Sequence, residues 1–187
     1  MPEAYPDLKS AHKRPLVAAA LRLSIEREAI HEQKIWNRMF GLFKKRVPIY
    51  PGESSWTVSK GDYQGRPMVL RINVGAEELA GHAEYRFRIG VAVPLRSPSE
   101  SGLPMPEENL EVNEIEDLLC GGFERDRAAL HAISIATQGM KEFVFYTKAP
   151  KEAARTFEEL RAKVTSHELQ CVIAEDAQWS VYKQLAA

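Results

Sequence analysis

The chain has 187 residues, 44% of them apolar, with 25 basic and 26 acidic side chains and a net charge of −1. That length carries one domain with an extension, and that apolar content can bury a core. The charge balance excludes bulk attraction to nucleic acid or to an anionic membrane, so any polyanion site has to be a local patch.

Residues 1–14 are polar and read as a loose lead-in. Over 15–45 the residues Leu21, Ile25, Ala29, Trp36, Met39, Phe40 and Phe43 fall near one stripe at helical spacing. Lys44, Lys45 and Arg46 suit a helix C-terminus, and Pro48 and Pro51 end the helix. The expected organisation is an N-terminal helical extension, 1–47, followed by a single domain, 48–187. The helix stripe must cover either its own sheet or a second copy of the chain. No stretch reaches the ~20 apolar residues of a membrane span, and Arg22 interrupts the short apolar run at 16–23.

From Ser55 to Leu95 the period changes to two. Trp56 to Ser59 alternates and runs into turn residues at 61–65. Met68, Leu70 and Ile72 share one face of a second strand, with Val69, Arg71 and Asn73 on the other. In a third strand Tyr85, Phe87, Ile89 and Val91 point one way and Arg86 and Arg88 the other. Three such strands predict an antiparallel meander with one oily and one polar face. Residues 96–108, with three prolines, predict a loop. Asn113 is placed to cap a helix that carries Ile115, Leu118 and Leu119 and stops at Gly121-Gly122.

Residues 130–137 and 142–147 predict a hairpin about Gln138-Gly139. A helix over 154–164, a strand over 169–174 and a short amphipathic helix over 179–185 complete the chain. Phe143, Phe145, Tyr146, Phe157, Trp179 and Tyr182 are placed to seal a core. The fold class is therefore α+β: a mostly antiparallel sheet of about six strands with helices on one face.

The chemistry-bearing residues are sparse. His12, His31, His82, His131 and His167 show no metal spacing with one another or with a cysteine, so no metal is expected. No phosphate-binding glycine loop or nucleophile elbow occurs, and no cofactor is expected. Cys120 and Cys171 are too few for a disulfide framework and sit in apolar surroundings. They read as free thiols of a reducing cytoplasm, without a histidine at useful spacing. Asp176 is placed to cap the last helix. Arg71 and Asn73, with Arg86 and Arg88 on the next strand, would form a compact cationic patch for a phosphate, a carboxylate or an acidic partner. The competing reading is a solvated face, or ion pairs with Glu77, Glu78 or Glu84. Trp56, Tyr85 and Phe87 are in phase with the oily face, which disfavours RNA stacking. Tyr146, out of phase with Phe143 and Phe145, joins the candidate patch.

The motifs also carry a resemblance. Trp56 opens the first strand, Arg71-x-Asn73 closes the second, Gly139 precedes a strand ending Phe145-Tyr146, and Asp176, Trp179 and Tyr182 finish the chain. This set resembles the bacterial domain of unknown function numbered six-nine-five, over 53–185; that family more often has Asp-Pro where this chain has Asp176-Ala177. The resemblance marks Trp56, Asp176, Trp179 and Tyr182 as family-motif residues with structural roles. The C-terminal half is similar to the protein inhibitors of ribonuclease E, which implies a ferredoxin-like fold and a protein partner. The expected function is a cytoplasmic, non-enzymatic regulatory or protein-interaction domain that binds a protein partner or itself. The alternative is a small-anion or phosphoester-binding protein, an enzyme among its forms, that uses the Arg/Asn patch. Neither reading involves a membrane or nucleic acid.

Overall fold

The computed structural model describes residues 55–187; the N-terminal helix expected at 15–45, its choice of packing partner and the boundary at 47 lie outside the described residues. The elements are β1 (Trp56–Tyr63), β2 (Arg66–Asn73), a 3-10 turn (Val74–Leu79), β3 (Phe87–Pro94), α1 (Pro106–Phe123), β4 (Ala129–Thr137), β5 (Met140–Thr147), α2 (Pro150–Arg161), β6 (Gln170–Glu175) and α3 (Ser180–Ala186). They form one sheet in the order β1-β2-β4-β5-β3-β6. Every neighbouring pair is antiparallel.

Two hairpins turn on paired residues with positive φ. Gln64 and Gly65 have φ of 53° and 76°, and Gln138 and Gly139 have φ of 51° and 74°. This left-handed pair matches the twist of the strands it joins, and glycine supplies the second position without strain.

The expected meander is not formed. β3 does not follow β2 in the sheet but lies between β5 and β6. The reason is visible in its sequence, FRIGVAVP, which is buried on both faces from Arg88 to Val93. A strand apolar on both sides belongs in a sheet interior, not beside a solvated hairpin. β3-α1-β4-β5-α2-β6 with the order β4-β5-β3-β6 is a ferredoxin-like unit. The β1–β2 hairpin extends it along the free edge of β4.

The expected single oily face is also corrected, because both faces are buried. On one, α1 and α2 cover Ile89, Val91, Val93, Phe143 and Phe145 with Val112, Leu119, Phe123, Phe157 and Leu160. On the other, Leu70, Ile72, Leu130, Ile133, Ile135 and Tyr146 pack under Leu79, Trp179, Val181 and Tyr182. The two long helices do lie on one face, as the α+β reading expects.

α1 begins at Pro106, not at Asn113, and runs through Gly121-Gly122 to Phe123. Pro106 suits the first turn, and Glu107 and Glu108 favour the helix N-terminus. Gly122 is not a stop. A Cβ there would lie 2.7 Å from Leu160 Cδ1, so the glycine lets α1 and α2 approach. Among the described residues no helix is long and apolar enough to cross a membrane.

Candidate functional site

The polar residues of the α1 side collect at one place, where α1 passes over β4 and β5 towards β2. β2 alternation puts Arg71 on this face. In an unbroken strand His131 and Ser134, an odd number apart, would point to opposite faces. A bulge between His131 and Ile133 shifts the register and turns both toward α1. Lys141 shares its face of β5 with Phe143 and Phe145. Asn109, Asn113, Glu116 and Cys120 form one stripe of α1 at steps of three and four residues.

Glu116 is the centre. Arg71 Nη1 lies 3.1 Å from each of its oxygens, and Ser134 Oγ donates to Oε1 at 3.1 Å. Lys141 Nζ stands 4.0 Å from Oε2. His131 Nδ1 is 3.8 Å from Oε1. Lys141 also donates to Asn109 Oδ1 at 3.4 Å and Asn113 Oδ1 at 3.3 Å. The Arg71 guanidinium lies 5.1 Å from the centre of the Trp56 ring, and that ring meets His131 edge-on at 4.9 Å.

Cys120 Sγ lies 3.4 Å from His131 Nδ1, which overturns the expectation that no histidine stands near either thiol. The arrangement is nevertheless not a thiolate–imidazolium pair. Burial pushes the His131 value down to about 3. Burial, with the carboxylates of Glu124, Glu116 and Asp117, pushes the Cys120 thiol up to about 12. His131 Nε2 lies 3.2 Å from the Ile133 carbonyl, which can only accept, so Nε2 carries the proton and Nδ1 accepts from the thiol. A protonated thiol beside a neutral imidazole is a poor nucleophile. Burial likewise pushes the Lys141 value down.

The other residues singled out from the sequence go elsewhere, and the compact Arg71–Asn73–Arg86–Arg88 patch is not assembled. Arg71 is on the α1 face. Arg88 is buried on the opposite face, in register with Tyr146. Arg86, ahead of β3, is exposed and pairs with Glu175 at 2.6 Å. The cause is the transfer of β3 to the far side of β5. Asn73 is buried and donates through Nδ2 to the His131 carbonyl at 3.0 Å, which ties β2 to β4.

Tyr146 is buried, not exposed. Its hydroxyl donates to Asp176 Oδ2 at 2.8 Å, and its ring stacks on Trp179 with centroids 3.8 Å apart. Burial and the adjacent Asp176 raise the Tyr146 value. Asp176 accepts from Ser180 N at 2.8 Å and from Val181 N at 3.4 Å, which fixes the start of α3. Burial alone would raise the Asp176 value, but the bonds from Ser180, Tyr146 and Val181 hold it below the usual range. Trp179 Nε1 donates to the Tyr85 carbonyl at 2.7 Å, and Tyr182 Oη to the Asn73 carbonyl at 2.9 Å. Trp56 belongs with the Glu116 cluster.

Sequence reasoning therefore missed Glu116, Lys141, Ser134 and the two asparagines. Signals existed. Lys141 is a charge in phase with Phe143 and Phe145, and Glu116 sits between Val112 and Leu119 on the buried stripe of α1. Among the described residues no group of three or more His, Cys, Asp or Glu is placed to hold a metal ion.

No curated protein and no solved structure matches the chain. A family model does match, over residues 54–186, which takes in every described element from β1 to α3. The chain belongs to that family, the family of unknown function DUF695.

Proposed function

We propose that this is a non-enzymatic, regulatory protein-interaction domain that receives a protein partner on the α1 side of the β1–β2 hairpin. The observation that carries the reading is a strip of sheet that no helix among the described residues covers. Strands are spaced ~4.8 Å and packed helices ~8–10 Å, so two helices cover about four strands. α1 lies over β4, and α2 over β3 and β6. β1 and β2 remain as a strip about one helix wide. Its floor is Trp56, Val58, Val69 and Arg71, and the adjoining flank of α1 carries Leu110. Val58 is 63% exposed and Leu110 66%. They are the two most exposed large apolar side chains among the described residues. An apolar surface with a polar rim is a mark of a docking surface where it is contiguous.

The chemistry of the Glu116 cluster points the same way. Its thiol is protonated, its imidazole neutral, and its carboxylate held by Arg71 and Ser134, so it lacks a poised nucleophile or base. The version of the anion-binding alternative that joins Arg71, Asn73, Arg86 and Arg88 in one patch loses its motivation, because Arg88 lies on the other face from Arg71.

The test is affinity capture with the wild-type chain and with Val58→Glu and Leu110→Glu. The reading expects one specific protein retained by the wild type and lost with both variants. Unchanged retention by the variants, or nothing above background with the wild type, contradicts it.

A further inference from the structure

Lys141 is 6% exposed, yet none of its partners is close. Asn113 Oδ1 is at 3.3 Å, Asn109 Oδ1 at 3.4 Å and Glu116 Oε2 at 4.0 Å. A charge-assisted N–H···O bond is normally ~2.8 Å, and a buried ammonium needs such bonds to offset its lost hydration. The one carboxylate nearby is committed elsewhere, to Arg71 and Ser134.

We propose that the cleft between α1 and β2-β4-β5 binds the carboxylate of a small organic acid, held by Lys141 and Arg71 beside Asn109 and Asn113. The charge balance selects a monoanion. Of the ionisable side chains around Glu116 itself, Arg71 and Lys141 are positive and His131 is neutral, which leaves one positive charge over there. The next carboxylate, Glu124, follows the C-terminal end of α1 and accepts from His131 N at 2.8 Å. A bound carboxylate cancels the positive charge left over, whereas a phosphate dianion would leave a buried negative charge. The planar carboxylate also suits the guanidinium fork.

Lys141 is flanked in the sheet by Ala136 on β4 and Val93 on β3, and Ala136 by Val69, so among the described residues its strand neighbours are short. Asn109, Asn113 and Arg71 are half-buried, which opens the cleft to solvent. At the rim, exposed Lys60 on β1 and exposed Asp117 on α1 carry opposite charges. This site shares Arg71 and Val69 with the docking surface proposed above; Lys141, Asn109 and Asn113 are its own, and their readouts tell the two apart.

The experiment titrates the full chain with sodium acetate and propionate. Sodium chloride and inorganic phosphate at equal ionic strength, and a blocked aspartyl tripeptide, serve as controls. The readouts are the thermal midpoint and the side-chain amide NMR signals of Asn109 and Asn113. Saturable shifts with acetate and propionate are expected, with none from the other three. Lys141→Met and Arg71→Gln are each expected to weaken binding by about tenfold or more. Half-exposed Arg71→Gln keeps the test valid if Lys141→Met does not fold. The proposal is overturned if acetate acts no more strongly than chloride, or if phosphate or the tripeptide binds as tightly as propionate. It is also overturned if the folded variants bind acetate as the wild type does.

Discussion

The guanidinium of Arg71 lies against the carboxylate of Glu116, with Nη1 3.1 Å from both oxygens. This contact joins β2 to α1 and holds an anion between two cations. Removing it with Glu116→Ala leaves Arg71 and Lys141 without that anion. The cost expected in urea denaturation is about 2–3 kcal/mol, below that of a fully buried pair because Arg71 is half-exposed. Adding Lys141→Met should restore about 1 kcal/mol, since contacting residues are not additive. Strictly additive losses would show that the two charges are uncoupled.

His131 makes stability depend on pH. Burial puts its folded value at about 3, against an ordinary value of 6.5. Between those values the unfolded chain takes up a proton that the folded chain refuses. Stability should therefore fall as pH is lowered through that window, by about 1 kcal/mol per pH unit. Asp176, whose folded value is depressed, adds acid loss only below the ordinary carboxylate value of 3.8. Burial raises the Glu124 value from 4.5, so that carboxyl acts in the opposite sense at the lower end of the pH 4.5–6.5 range. The histidine contribution is the difference in slope of the urea midpoints between the wild type and His131→Gln, and the variant's slope should be flatter. Equal slopes in the two proteins across that range would contradict the assignment.

Adjacent glycines in α1 should respond in opposite ways to alanine. Gly121 is exposed and a Cβ there meets nothing within 4 Å. Gly121→Ala should stabilise by about 0.5–1 kcal/mol through helix propensity alone. Gly122→Ala forces its methyl into buried Leu160 and should destabilise by about 1–2 kcal/mol despite the same propensity gain. Thermal midpoints that rise for both would mean that α1 and α2 are not held at this contact.

Much of the fold was legible because hairpins, periodicity and proline obey local rules. The Gln138-Gly139 turn and the stripe of Phe157 and Leu160 follow directly from them. The place of β3 was not legible, because strand order is decided by which surface each strand can bury. Gly90 and Ala92 hinted at burial on both faces, but alternation of Arg86, Arg88 and the apolar residues suggested a half-solvated strand. The candidate site failed for the same reason. Arg71 was read correctly as standing off the Leu70–Ile72 face, but Arg88 went with β3 to the opposite side. The Glu116 cluster unites α1, β2, β4 and β5 across a bulge, and no local pattern encodes that.

Trp179 sits at φ 55°, a left-handed conformation costly for a tryptophan. Stacking on Tyr146 and the bond to the Tyr85 carbonyl hold it there. Trp179→Ala should cost about 3–5 kcal/mol. Trp179→Phe keeps the stacking surface and loses the N–H bond, and should cost about 1–2 kcal/mol. Equal losses in chemical denaturation would mean that the ring surface contributes nothing.

The docking claim is tested most directly by a photo-crosslinking amino acid placed at position 58, with position 172 as the internal control. Val58 lies on β1 at one edge of the sheet, and Val172, 40% exposed, lies on β6 at the other. The account predicts a discrete adduct with one partner protein from position 58, suppressed by Leu110→Glu, and none from position 172. Equal adducts from both edges, or none from position 58, would contradict it.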